Sequence, residues 1–367
     1  MITSADSRQD RLGPELTIAL LAENSPAFRR LALTRILGRS DDDEEVVELS
    51  RHIPSDPRIS ALVENKAETE SIRRTAIELR RLARCGVGRE HSAVRSRVEV
   101  IFARQNKDGS WPIADVRGAT RVSSGSRKSP PDGTPPDGTT GSSSRGAETE
   151  TGYSMIPLQT AIPLHAIAAS GYATDPRSEA AYEWLCENRN DDGSWPTGLS
   201  EGVFGRVAGY RRIAHSRWGC RSNTTGALLA LSYHPTRRTS DEAYRALELV
   251  LGYRGLDTIS FGFDLARVLG LEENGGTFTY FGRYDVAQIL GICGRVSGST
   301  GDERIRRLTE FADTFRERSG LFTHPVYPQL SRWLTLEMII SRRLIDESEW
   351  IGVDAITPPP RDPRRRY

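Results

Sequence analysis

The sequence predicts an all-α fold, an α/α toroid in which inner and outer helices alternate around a closed ring, with a small N-terminal helical extension. Three observations predict it. Strand-type alternation is scarce, and apolar spacing is helical almost throughout the 367 residues. Along the second half of the chain, helices apolar on every side alternate with amphipathic ones, as a surrounded ring inside a wetted one requires. A turn of the form N-x-D-G-S-W-P occurs twice, at Asn106–Pro112 and Asn190–Pro196.

The elements follow in order. Leu16 to Leu37 reads as a helical hairpin broken at Asn24-Ser25-Pro26, a capping residue followed by a proline at a helix start. Ser40-Asp41-Asp42-Asp43-Glu44 opens a short helix from Glu44 to His52, and another runs from about Thr69 to Arg84. Residues 118–150 are nearly free of apolar side chains and repeat Pro-Pro-Asp-Gly-Thr, so they are expected to be a disordered insertion. Beyond it, apolar Met155–Ala169 precedes amphipathic Arg177–Asn188. Apolar Thr224–Tyr233 precedes Asp241–Tyr253, and apolar Asp285–Val296 precedes Asp302–Arg318, with Trp333–Ile345 last. The outer helices begin near Pro176, Ser240 and Gly301, about sixty residues apart, which is the mark of an internal repeat. The expected division is an extension over 1–68, the ring over 69–350 and a disordered tail over 351–367.

Composition removes several function classes. Lys+Arg 50 against Asp+Glu 49 gives a net charge of +1, so no global field favours nucleic acid or anionic lipid. Cys85, Cys186, Cys220 and Cys293 form no C-x-x-C pair, which argues against a zinc ribbon or disulfide framework and for free thiols in a reducing compartment. No signal peptide and no apolar run of about 18 residues are present, so the expectation is a cytoplasmic protein without a membrane span.

The two turns each follow an amphipathic helix. Asp-Gly ends that helix through a left-handed glycine, and the tryptophan folds back onto its terminus. With Gln105 ahead of Gly109-Ser110-Trp111, the pattern resembles the QW repeat of terpenoid cyclases and protein prenyltransferases. The second copy replaces the glutamine, and a third pseudo-repeat ends at Gly320-Leu321-Phe322 without a tryptophan. Phe278–Val286, Ser331–Leu336, Asn24–Arg29 and Ile53–Arg58 resemble an orphan bacterial group with squalene-cyclase-like repeats and no assigned reaction. The resemblance implies the toroid and little about chemistry.

The superfamily's catalytic signatures are missing. There is no D-x-D-D motif of the protonating cyclases. Asp41-Asp42-Asp43-Glu44-Glu45 superficially matches a magnesium-diphosphate motif, but acids in a first turn stabilise a helix N-terminus. The prenyltransferase zinc set of Asp, Cys and His would fall on Trp218, Cys220 and Asp285. That leaves a poor set which His215 or Glu150 would have to complete, so no cofactor is required and zinc is the alternative. Gly219-Cys220-Arg221-Ser222-Asn223 is similar to a thioester loop but lacks its glutamine.

By the geometry the toroid implies, inner-helix N-termini head one end of a central cavity. The expected ligand-binding residues are Glu150 and Tyr153; Trp218, Cys220, Arg221 and Asn223; Arg283 and Tyr284; and Arg332 and Trp333. Asp285 is the candidate acid or base, because burial raises a carboxyl pKa. Its bland role is a helix cap. His165 and His234 read as satisfied core residues. Acids, arginines and aromatics around an apolar funnel suit an apolar small molecule or peptide with a charged head. The alternatives are an isoprenoid cyclase or prenyl transferase using Asp285, and a carbohydrate-active enzyme using paired acids.

Overall fold

The computed structural model describes residues 12–64, 71–112, 156–196, 213, 216, 219–252, 259–272 and 284–352. The expected insertion, the tail from residue 353, Glu150, Tyr153, His215, Trp218 and Arg283 lie outside the described residues. Among the described residues the chain is all-α apart from a two-residue parallel pairing of β1 (Ile259–Ser260) with β2 (Tyr284–Asp285).

The N-terminal hairpin consists of α1 (Pro14–Leu21) and α2 (Pro26–Leu31), the latter running into a π-turn at Ala32–Ile36. Ser25 caps α2 by accepting the Phe28 N–H, and Pro26 opens it. The cap of α3 (Glu44–His52) is Asp43, which accepts from Glu45 and Val46. The acidic run is spent on arginines: Asp41 pairs with Arg30 at 2.8 Å, Asp43 with Arg39 at 3.1 Å, and Glu45 with Arg29 at 2.9 Å. After the short α4 (Ser60–Glu64) come α5 (Ile72–Arg84), α6 (Ser92–Phe102) and α7 (Pro157–Ile167) with its own π-turn at Ala168–Tyr172. They are followed by α8 (Pro176–Glu187), α9 (Arg221–Leu231), α10 (Asp241–Leu251) and α11 (Phe263–Val268). The series ends with α12 (Val286–Arg295), α13 (Glu303–Asp313) and α14 (Ser331–Asp346).

Apolar composition decides which helices are surrounded. Every residue of α9 is buried and α7 is buried almost throughout, whereas α13 buries only Ile305 and Ala312. Helices adjacent in sequence pack in pairs: α5 on α6, α7 on α8, α9 on α10 and α12 on α13. The surrounded α7 and α9 also pack on each other, α5 packs on α7 and α12 on α14, while α11 reaches α5 and α14 reaches α1. Gly226 permits the α7–α9 approach, since a Cβ there would stand 2.3 Å from Leu158 Cδ1.

The two D-G-S-W turns are nearly superposable in their bonding. In the first, Asn106 N–H donates to Ser110 O at 2.8 Å and Asp108 Oδ1 accepts both the N–H and hydroxyl of Ser110. In the second, Asn190 and Ser194 share the same 2.8 Å bond, and Asp192 plays the part of Asp108. Gly109 and Gly193 have φ of 89° and 88°, in the left-handed region. The Trp111 indole N–H donates to Ile101 O at 2.9 Å, and that of Trp195 to Leu185 O at 2.7 Å, so each ring closes over the helix it follows. Their backbone N–H groups donate to Thr160 and Thr224 of α7 and α9. Phe322 ends a third such turn: Glu317 N–H donates to Leu321 O at 2.8 Å, Gly320 has φ 88°, and the Phe322 N–H donates to Thr335 Oγ1 of α14.

A second recurrence was not visible from composition or spacing alone. Asp175-Pro176-Arg177 starts α8 and Asp302-Glu303-Arg304 starts α13. In each the aspartate caps the helix and holds its arginine, which reaches back to a glutamate on an earlier helix, α6 or α10. Arg177 meets Glu99 at 2.8 Å, and Arg304 meets Glu248 at 2.8 Å. Asp56-Pro57-Arg58 has the same form, with buried Asp56 accepting from the backbone of Ala27 and Arg58 and from the Ser25 hydroxyl. Arg58 then lies 5.5 Å over the Trp333 ring.

Candidate functional site

Charged side chains converge where α5, α7, α12 and α14 meet. Arg80 and Arg84 lie one turn apart on α5 and so share a face. Arg80 donates to both carboxylate oxygens of Asp264, at 2.8 and 2.6 Å, with both residues buried. Arg84 pairs with Glu337 of α14. Arg295, at the end of α12, donates to Ser232 Oγ at 3.2 Å and stacks 4.4 Å over the Tyr233 ring. Tyr233 in turn lies 4.8 Å from the His165 ring.

These residues border two cavities. The first, about 30 Å³, is lined by Asp264, Asp285, Gln288 and Arg295 among others. The second, about 150 Å³, is lined by Arg35, Leu31, Ala169, Leu336 and Ile340 among others. Arg80, Arg84, His165, Tyr233 and Glu337 line both, so they form the wall between them. The smaller has room for one or two waters. His165 Nδ1 at this wall and Gln288 Nε2 beside the smaller cavity are buried and have no hydrogen-bond partner.

Asp285 does line the smaller cavity. Its carboxylate also caps α12 by accepting from Ala287 and Gln288, and it accepts from Gly262 at 3.0 Å and Asp264 at 2.8 Å. Burial raises its pKa above the ordinary aspartate value, against the opposing pull of those N–H donors. The result is a clamp on the Gly262–Asp264 backbone that presents the Asp264 carboxylate to Arg80. His324 holds the same loop from the other side. Its Nδ1 accepts from Val326 and Tyr327, which leaves the proton on Nε2 to donate to Gly262 O at 3.1 Å. Burial lowers the His324 pKa. His165, fully buried and facing Arg80, Arg295 and Arg84, is pushed well below the usual histidine value by burial first and those charges second.

The other described residues expected at the site lie away from these two cavities. Cys220 donates its N–H to Trp195 O at 2.8 Å, and Asn223 Nδ2 donates to Pro196 O at 2.5 Å, which seats the start of α9 on the second turn. Asn223 Oδ1 also accepts the Leu158 N–H. Arg221 is buried in the first turn of α9. Tyr284 is buried in the pairing with Ile259. Arg332 donates to Ala19 O at 2.8 Å, toward α1. Trp333 packs edge-on against Phe28, ring centres 5.1 Å apart. Among the described residues no cluster of three His, Cys, Asp or Glu side chains has the disposition of a metal site.

Arg80, Arg84, Asp264, Gln288, Arg295 and Glu337 were missed from sequence. A signal was present for some of them: Gln288 interrupts the apolar run of α12, and Glu337 stands between Leu336 and Met338, whereas Arg80 and Arg84 lie among the other arginines of α5. No helix is long and apolar enough to cross a membrane among the described residues. The chain matches no protein-family model and no curated protein.

Proposed function

We infer that this chain is a closed α/α toroid of the squalene-cyclase and prenyltransferase kind that binds a small ligand with a charged head at its centre and performs no isoprenoid chemistry. Three similar turns, the alternation of surrounded and amphipathic helices, and the meeting of α14 with α1 support the ring. One observation carries the function: the helices meet around buried ion pairs, with cavities of about 30 and 150 Å³ on either side. An isoprenoid cyclase needs an apolar chamber large enough to fold a long polyene and a free acid within it. Here the Asp285 oxygens are occupied by backbone N–H groups and the Asp264 oxygens by Arg80. The same occupancy disfavours the paired-acid reading, since neither carboxylate is free to take a proton from water or sugar.

The test is incubation of purified full-length protein with farnesyl diphosphate, geranylgeranyl diphosphate and squalene, with and without zinc or magnesium. Product analysis and thermal denaturation are the readouts. No product and no change in Tm are expected. A cyclised or transferred product from any of the three would overturn the reading.

A further inference from the structure

We propose that the 150 Å³ cavity is a binding site for a small monocarboxylate with a short apolar body, held by Arg35 and Arg84 with His165 beneath it. The proposal rests on the reading of the chain as a binding protein and names the class of ligand.

Charge is the first argument. Arg35, Arg80 and Arg84 face this cavity against one carboxylate, Glu337, and the Asp264 carboxylate answers Arg80. That leaves one guanidinium in excess among the described residues, and Arg35 makes no ion pair. One negative charge completes the set. A buried polar atom without a partner is the second, independent argument. His165 is 3% exposed and borders the cavity, its pKa lies well below the usual value, and its Nδ1 has no partner. A neutral imidazole with the proton on Nδ1 donates one hydrogen bond to an anion without adding a charge. Burying an imidazole nitrogen unmatched is costly, so the site is incomplete without an acceptor or a water.

Shape selects among anions. Leu31, Ala169, Leu336 and Ile340 line the same cavity, so one side of the occupant meets hydrocarbon. A cavity near 150 Å³ takes a ligand of about six heavy atoms, as in the handling of benzene by a cavity of that size. A compact dianion such as inorganic phosphate meets too little compensating charge here and would leave the apolar wall empty. Butyrate and isovalerate have the carboxylate, the length and the apolar end.

The experiment is titration of the full-length protein at pH 7 with butyrate, isovalerate, the neutral isostere butyramide and inorganic phosphate, by calorimetry and by Tm. Saturable binding of butyrate or isovalerate is expected, with a Kd between about 10 μM and 1 mM and a rising Tm. Arg35→Gln, an exposed position, should weaken binding by about three- to tenfold. Ala169→Leu fills the cavity without changing charge and should abolish binding while the helical circular dichroism is retained. Binding of butyramide with equal affinity, binding of phosphate alone, or no saturable binding of either carboxylate would overturn the proposal. So would undiminished binding to a folded Ala169→Leu variant. A parallel arm with farnesyl diphosphate separates the two levels. Turnover there defeats the binding-protein reading itself, whereas its absence together with carboxylate failure defeats only the ligand assignment.

Discussion

Substituting Gly109 by alanine tests whether the first repeated turn fastens α6 to α8. Gly109 has φ 89°, so any L-residue there adopts the left-handed conformation at a cost of about 1–2 kcal/mol. Space adds a second cost. A Cβ would lie 2.4 Å from Ala180 O, 2.6 Å from Ala180 C and 2.9 Å from Ala181 N, all backbone atoms of α8. A helix backbone cannot swing aside as a side chain does, and overpacking of this kind costs about 1–3 kcal/mol. The expected loss is therefore about 2–5 kcal/mol by summing those ranges. Gly320→Ala is the control. Its φ is 88°, but the nearest atom is Leu16 Cδ2 at 3.1 Å, a side-chain end that can shift. Only the conformational cost of about 1–2 kcal/mol remains there. Urea unfolding followed by tryptophan fluorescence reads both variants as shifts in midpoint at constant m. Equal losses at the two positions, or a larger loss at Gly320, would refute the claim that the first turn is wedged against α8.

Further expectations concern single groups. Trp195→Phe removes the pyrrole edge of a fully buried indole and strands Leu185 O, which accepts the indole N–H at 2.7 Å, and should cost at least about 1–3 kcal/mol in the same unfolding assay; an unchanged midpoint would show both the bond and the packing to be idle. Arg304→Ala removes a mostly buried arginine that bridges Asp302 and Glu248. It should destabilise more than Arg177→Ala, whose arginine is 41% exposed and whose pairs are worth about 1 kcal/mol or less; the reverse order in Tm would contradict the burial argument. His165 is neutral in the folded protein because its pKa is lowered, while in the unfolded chain it titrates near 6.5. The unfolded state therefore gains a proton first as pH falls below about 6.5, and stability contributed above that pH is lost on acidification. His165→Gln should flatten the fall of Tm between about pH 7 and 5; an unaltered slope would remove His165 from the account. Asp285→Ala leaves the N–H groups of Gly262, Asp264, Ala287 and Gln288 without their acceptor and should cost at least about 2 kcal/mol, with hydrogen exchange accelerated at Gly262 and Asp264.

Much of the helical framework was legible because it rests on local rules. Pro26 and Pro176 at helix starts, the left-handed Gly109 and Gly193, and the switch between fully apolar and amphipathic helices all leave periodic or positional marks. Even Phe322, with no tryptophan to advertise it, was legible from the spacing of its turn. The site was far less so. Its wall joins residues from α5, α7, α11, α12 and α14, and pairs such as Arg80 with Asp264 are 184 residues apart in sequence. No local pattern specifies such a pairing. Reading helix N-termini as the site led to Arg332 and Trp333, whose side chains turn toward α1 and α2, while the charged wall draws on the later turns of α5, α7 and α12. A charge flanked by apolar residues, as Glu337 is by Leu336 and Met338, was the better guide, because burying it without a partner is too costly to persist.

The third turn has one property that the first two lack. Gly109 rests on α8 and Gly193 on Arg245 of α10, each the second helix after its turn, but Gly320 rests on Leu16 of α1. The contact therefore ties the earliest described helix to the turn before the last one, and it is reinforced by the bonds of Arg332 to Ala19 O and Glu23, of Arg343 to Arg35 O and Ile36 O, and by Phe28 against Trp333. Arg332 and Ala19 are 313 residues apart in sequence, so covalent chain does little to hold this junction together. It is a seam, held by packing and a few guanidinium bonds. Partial opening of the molecule should begin there, with α1 and α2 exchanging amide protons before the helices between them.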